Sequence, residues 1–159
     1  MARSQKANTQ SSRLKVITHG DTSKAFSLPE SGATVIFTAA ASATRTITLP
    51  AVAGVPGSKG AYFRFVFGVA EDAASTVIQT SAAAELFKGR VIFYDSNSAD
   101  VTKAMVQTGA STQYPDLSND RILTLAANIE PGTMIDCTSD GSHWYITGQH
   151  IATLRHVFS

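Results

Sequence analysis

The residues of this chain that could do chemistry are few and scattered. Asp136 and Asp140, four positions apart, could flank a cleft as the acid and base of a glycoside hydrolase, although carboxylate pairs of this kind arise by chance in most β-rich proteins. His19–Gly20–Asp21, His143, His150 and His156 offer possible metal ligands, but none stands in a compact spacing such as His-Glu-x-x-His, and Cys137 has no cysteine partner. Ser139 and Ser142 lie in an Asp-Gly turn rather than in a Gly-x-Ser-x-Gly elbow, and no phosphate-cradling P-loop or Gly-x-Gly-x-x-Gly stretch is present. No catalytic residue, cofactor or metal is therefore expected, and the function sought is binding.

Two groups of residues could serve a binding function. Trp144, Tyr145, Tyr94 and Tyr114 could stack on sugar rings, and because Trp144 and Tyr145 alternate, one of the two should face outward. A single outward ring makes a glycan the weaker partner. The second group is cationic. Arg3, Lys6, Arg13 and Lys15 all precede the first acidic residue, Asp21, so the first twenty residues carry +4 while the whole chain carries +1, leaving −3 for the rest. So small a net charge does not fit a protein held to nucleic acid by bulk electrostatics. Residues 1–20 read as a basic polar arm, almost without apolar residues before Leu14, and two readings stay open for it: a floppy tail, or an arm that orders on a neighbouring subunit.

The elements that must position these residues are strands. At 159 residues the chain suits one domain, which buries roughly 70% of the surface its unfolded form exposes. Charged residues make up only 16% of it, so much of the surface must be Ser, Thr, Asn, Ala and Gly, which are cheap to desolvate in a protein contact. The single cysteine excludes an intrachain disulfide and gives no sign of an oxidising compartment; in its alternating stretch it reads as a small buried hydrophobe. No secretory leader opens the chain and no run approaches the ~20 apolar residues of a membrane helix, so no membrane partner is expected.

Period-two alternation predicts strands at 14–18, 33–38, 45–49, 61–69, 76–80, 90–94, 122–125, 134–138 and 143–147, with weaker signals at 24–28, 101–107 and 151–157. In Tyr62–Phe67, Phe63, Phe65 and Phe67 share one face, which marks a core strand. Turn residues fall between the runs, and only 82–88 carries a short helix signal. Strands at this spacing without amphipathic helices predict an all-β fold, an antiparallel β-sandwich of jelly-roll-like form over residues 21–159, behind the extended N-terminal arm of residues 1–20.

Two stretches carry a family likeness. Arg45–Thr46–Ile47–Thr48–Leu49–Pro50 is followed by the aromatic strand Ala61–Phe67, and later comes the hairpin Ser139–Asp140–Gly141–Ser142–His143–Trp144–Tyr145–Ile146–Thr147–Gly148. In this arrangement the chain resembles the small decoration (cement) proteins of tailed-bacteriophage capsids, over roughly residues 31 to 148. The resemblance implies a structural virion protein, made in the host cytoplasm, that binds the major capsid protein on the outer surface of the assembled head, commonly as a homotrimer. It transfers no binding residue by position; Arg3, Lys6, Arg13 and Lys15 are candidates from their charge alone. β-Rich modules of phage tails and fibres show a similar hairpin, so a tail or fibre structural module and a lectin-like carbohydrate-binding domain are the alternatives.

Overall fold

The computed structural model describes residues 15–96, 104–105, 120–153 and 157–158. Among them the chain is nearly all β. The strands are β1 (Lys15–His19), β2 (Lys24–Ala25), β3 (Ala33–Phe37), β4 (Arg45–Thr48), β5 (Tyr62–Phe67), β6 (Thr76–Gln79), β7 (Phe87–Asp95), β8 (Ala104–Met105), β9 (Ile122–Leu125), β10 (Met134–Ser139), β11 (Trp144–Ala152) and β12 (Val157–Phe158). The short helix signal at 82–88 is not realised: residues 81–86 turn, and Phe87 opens β7. The one helical turn among the described residues, a 3₁₀ turn at Leu28–Glu30, begins at Ser27, whose backbone N–H and hydroxyl both donate to Glu30 at 2.9 Å in a capping box.

Two sheets form. One has seven strands in the order β1-β3-β5-β10-β11-β7-β8, the other five in the order β12-β9-β6-β4-β2. Both are mixed, which corrects the antiparallel expectation: β1–β3, β3–β5, β2–β4, β4–β6 and β7–β11 are parallel pairs. From β1 to β6 each successive strand crosses to the other sheet and then returns to pair in parallel with the strand two before it. A parallel pair needs a long crossover, most often a helix; here a strand of the opposite sheet supplies it. Because each sheet buries one face only, these parallel strands alternate apolar and polar just as antiparallel ones do. The sequence pattern therefore carries no mark of strand direction.

Inward residues of both sheets contribute to a single cluster. Val35, Phe37, Phe63, Phe65, Phe67, Ile135, Cys137, Trp144 and Ile146 come from the larger sheet, and Ile47, Ile78, Leu123 and Leu125 from the smaller. The three phenylalanines of β5 lie in the core as their spacing predicts. Trp144 closes one end beside Phe63, with ring centroids 6.1 Å apart. The β10–β11 hairpin turns at Gly141, whose φ of 94° is the left-handed backbone expected of its Asp-Gly turn. Asp140 caps that turn by accepting the backbone N–H groups of Ser142 and His143 at 2.8 and 2.7 Å.

Candidate interaction surface

With one face of the seven-stranded sheet in the core, the other is a broad surface whose rows follow from the strand register. Thr18, Ile36, Val66, Met134, Gln149 and Ile92 form one uncharged, mainly apolar row across six strands. The row beside it is Val16, Thr34, Arg64, Asp136, Thr147 and Arg90. A third runs Tyr62, Thr138, Tyr145 and Lys88. At about 4.8 Å between strands and 3.3 Å per residue, the two rows of six residues and the third of four present on the order of 500 Å². That is more than half of one partner's share of a standard protein interface, about 800 Å². An apolar stripe bordered by Tyr and Arg has the composition of an interface core and its rim.

The middle of this face is held rigid. Asp136 accepts two bonds from the Arg64 guanidinium, Nε at 2.7 Å and Nη2 at 2.8 Å, and a third from the Tyr62 hydroxyl at 2.8 Å. The register places Arg64 and Asp136 directly opposite each other, so an in-plane fork meets a carboxylate with no reach required. Burial pushes the Asp136 carboxyl up, but the bonds from Arg64 and Tyr62 and the Arg64 charge outweigh it and hold the group below the usual carboxylate range. Burial, and then the bond to Asp136, push the Tyr62 hydroxyl up to about 12. Arg64 and Asp136 thus neutralise each other at the centre of the face.

The outer face of the five-stranded sheet differs. Ala25, Thr48, Gln79 and Ile122 make one row and Thr46, Val77, Thr124 and Val157 the next, and none of these eight residues is charged. Gln79 Nε2 donates to Thr48 Oγ1 at 3.1 Å within the first row.

The residues singled out from the sequence fare differently. Asp136 and Asp140 are both held ionised, Asp140 first by the His143 backbone N–H, whereas a glycosidase acid must be held protonated. His19 Nε2 lies 2.7 Å from the Thr22 carbonyl oxygen, His143 Nδ1 accepts the Leu86 N–H at 3.3 Å, and His150 is buried against the Phe93 ring. Among the described residues no three His, Cys, Asp or Glu side chains gather as a metal cluster would require, and no helix is long and apolar enough to cross a membrane. Of the proposed stacking rings, Trp144 is wholly buried and cannot serve, while Tyr145 beside it is 45% exposed. Tyr94 is half-buried, and Tyr114 and His156 lie outside the described residues.

Arg3, Lys6 and Arg13 also lie outside the described residues. Lys15 opens β1, at the edge of the seven-stranded sheet, and its Nζ donates to the Pro29 carbonyl at 2.8 Å. Residues 15–19, the last part of the stretch read as an arm, are thus the strand also read at 14–18. The broad face itself was missed: its rows are invisible without the register, and Arg64 and Asp136 stand 72 residues apart in sequence. Comparison with family models, with curated proteins and with solved structures finds no match.

Proposed function

We propose that this protein is a structural decoration (cement) protein that binds the outer surface of an assembled tailed-bacteriophage head and stabilises it by contacting the major capsid protein. The observation that carries the reading is the outer face of the seven-stranded sheet, with its uncharged row and its locked Arg64–Asp136–Tyr62 centre. A face fixed in advance loses little entropy on docking. The likeness of residues 31–148 to the decoration family supplies the identity of the partner. A ligand that binds only the assembled shell stabilises it by mass action, and a multivalent one does so with high effective concentration.

The uncharged face of the five-stranded sheet supports a homotrimer, because copies can bury it without desolvating a charge. The basic arm, whose Arg3, Lys6 and Arg13 precede β1 in the sequence and whose Lys15 is anchored on the body, is the proposed second contact with a neighbour. In this reading the two mixed sheets are the layers of a sandwich.

The test is co-sedimentation of the labelled full chain with genome-filled heads. Saturable binding at a symmetry-related stoichiometry, weakened by Met134→Lys or by deletion of residues 1–13 without loss of fold, supports the proposal. Failure to bind any assembled head overturns it. A tail or fibre module is the second reading, favoured by the winding of β1 to β6, whose i to i+2 parallel pairing is that of β-solenoids.

A further inference from the structure

Among the described residues, three of the four sheet edges are strands of two residues: β2, β8 and β12. Short edges of this kind are how folded proteins avoid edge-to-edge pairing. The fourth edge is different. β1 runs for five residues, Lys-Val-Ile-Thr-His, with three β-branched side chains in succession, and Val16 is 54% exposed. Among the described residues nothing pairs with its outer side.

The hydrogen-bonding groups of that edge can be assigned. The Thr38 N–H donates to the His19 carbonyl at 3.0 Å, so His19 directs its backbone towards β3. By strand alternation Lys15 and Ile17 do the same, while Val16 and Thr18 direct an N–H and a C=O each to the outside. The open edge is thus two donors and two acceptors, placed symmetrically about Ile17.

We propose that β1 is a self-association edge, on which a second copy of this chain pairs its own β1 antiparallel about a two-fold axis at Ile17. In that register Val16 meets the second copy's Thr18, Thr18 meets its Val16, and each pair exchanges an N–H···O=C bond in both directions. All four open groups are then satisfied by four bonds, and Ile17 faces its own equivalent as the non-hydrogen-bonded pair. β-Branched residues oppose one another across the outer row, a favourable cross-strand combination. Lys15 falls opposite the second copy's His19, so the register sets no two lysines side by side. The contact is isologous, which a two-fold requires. It does not rest on the capsid reading, and it would join copies of different trimers as readily as free copies.

The test uses the full chain with Ile17→Cys and Val16→Cys under mild oxidation. Facing Ile17 positions have Cα atoms about 4.5 Å apart, within disulfide range, whereas the two copies of residue 16 are diagonal and beyond it. The native Cys137 is buried, and burial pushes its thiol up, so it does not compete. Ile17→Cys is expected to form covalent dimers at least about tenfold faster than Val16→Cys; equal rates, or no dimer from either, overturn the register. Because Ile17 also packs on the core, a second pair of variants guards against misfolding. The unaltered chain is expected to double in mass with rising concentration in sedimentation velocity, and Val16→Lys/Thr18→Lys and Val16→Glu/Thr18→Glu should each lose that doubling. Mixed, they should recover it. A mixture that does not double overturns the proposal whatever the cysteine variants do.

Discussion

Arg45 forms a salt bridge with Glu71 in the interior, where neither side chain has any solvent exposure. The same guanidinium donates to the carbonyl oxygens of Gly20 at 2.9 Å and Ala39 at 3.4 Å, and to Thr76 Oγ1 at 3.0 Å, while its Cζ lies 3.8 Å from the centre of the Phe37 ring. Gly20, Ala39 and Glu71 belong to the β1–β2, β3–β4 and β5–β6 connections, so one side chain ties together the three crossings from the larger sheet to the smaller. Thr76 completes the set by donating to Glu71 at 2.8 Å.

Removing one partner strands the other's charge in the core. Arg45→Met should therefore lower unfolding stability by about 3–5 kcal/mol. Urea denaturation checks this, and a double-mutant cycle with Glu71→Leu should show a coupling well above 0.5 kcal/mol. A loss below about 1 kcal/mol for Arg45→Met would show that the tie is dispensable.

Among the described residues Glu30, Asp136 and Asp140 contribute to the acid limb of stability. The Lys24 hydrogen bond, first among its partners, holds Glu30 at about 2, and Asp136 is also held down. A group with a depressed folded pKa contributes stability that is present above its unfolded pKa, near 4.5 for Glu30, and lost as pH falls through the folded value. Stability should fall from about pH 4.5 towards pH 2, and Glu30→Gln or Asp136→Asn should flatten that slope in pH-dependent denaturation.

Tyr62 works in the opposite direction. Its folded pKa is raised from 10.0 to about 12, so its contribution is complete below pH 10 and lost as pH rises through 12. Ultraviolet titration should show a late phenolate step that vanishes in Tyr62→Phe and moves to lower pH in Asp136→Asn. Burial should still keep it above the ordinary tyrosine value.

Two glycines stand where no side chain fits. A Cβ on Gly89 would lie 2.1 Å from the Ile146 carbonyl oxygen, and one on Gly148 2.1 Å from that of Met134. Both contacts are backbone atoms of a paired strand and cannot swing away. Alanine at either position should cost about 1–3 kcal/mol. Gly20→Ala, with nothing within 4 Å, should stay within about 0.5 kcal/mol of the parent in the same thermal melts.

Trp144 and Tyr145 are neighbours with opposite surroundings. Trp144→Ala should cost about 3–5 kcal/mol as a core truncation, and the single tryptophan should emit at short wavelength until the chain unfolds. Tyr145→Ala should leave stability nearly unchanged. If it abolished binding on a glycan array without loss of fold, the carbohydrate reading would displace the capsid one.

The strands were legible in the sequence because alternation is a local signal: β3, β4, β5, β6, β9 and β10 fall within one or two residues of where it places them. Their directions were not. Lys15 pairs with Ala33 and Ala33 with Phe63, intervals of 18 and 30 residues, so the winding has no fixed repeat to detect. β11 continues through Gly148 to Ala152, although Gly148 reads as the end of a strand. Its glycine there answers a close approach of Met134, a tertiary fact. Arg45 and Glu71 likewise look like ordinary surface residues until the fold buries them together, and the Arg64–Asp136 pair depends on a register that alternation does not encode.

Electron cryo-microscopy of heads saturated with the full chain tests the central claim most directly. The account expects symmetry-ordered density on the outer capsid surface, with the face bearing Val66, Met134 and Ile92 turned towards the shell. Heads that stay bare at saturating protein, or density confined to the tail, would contradict it.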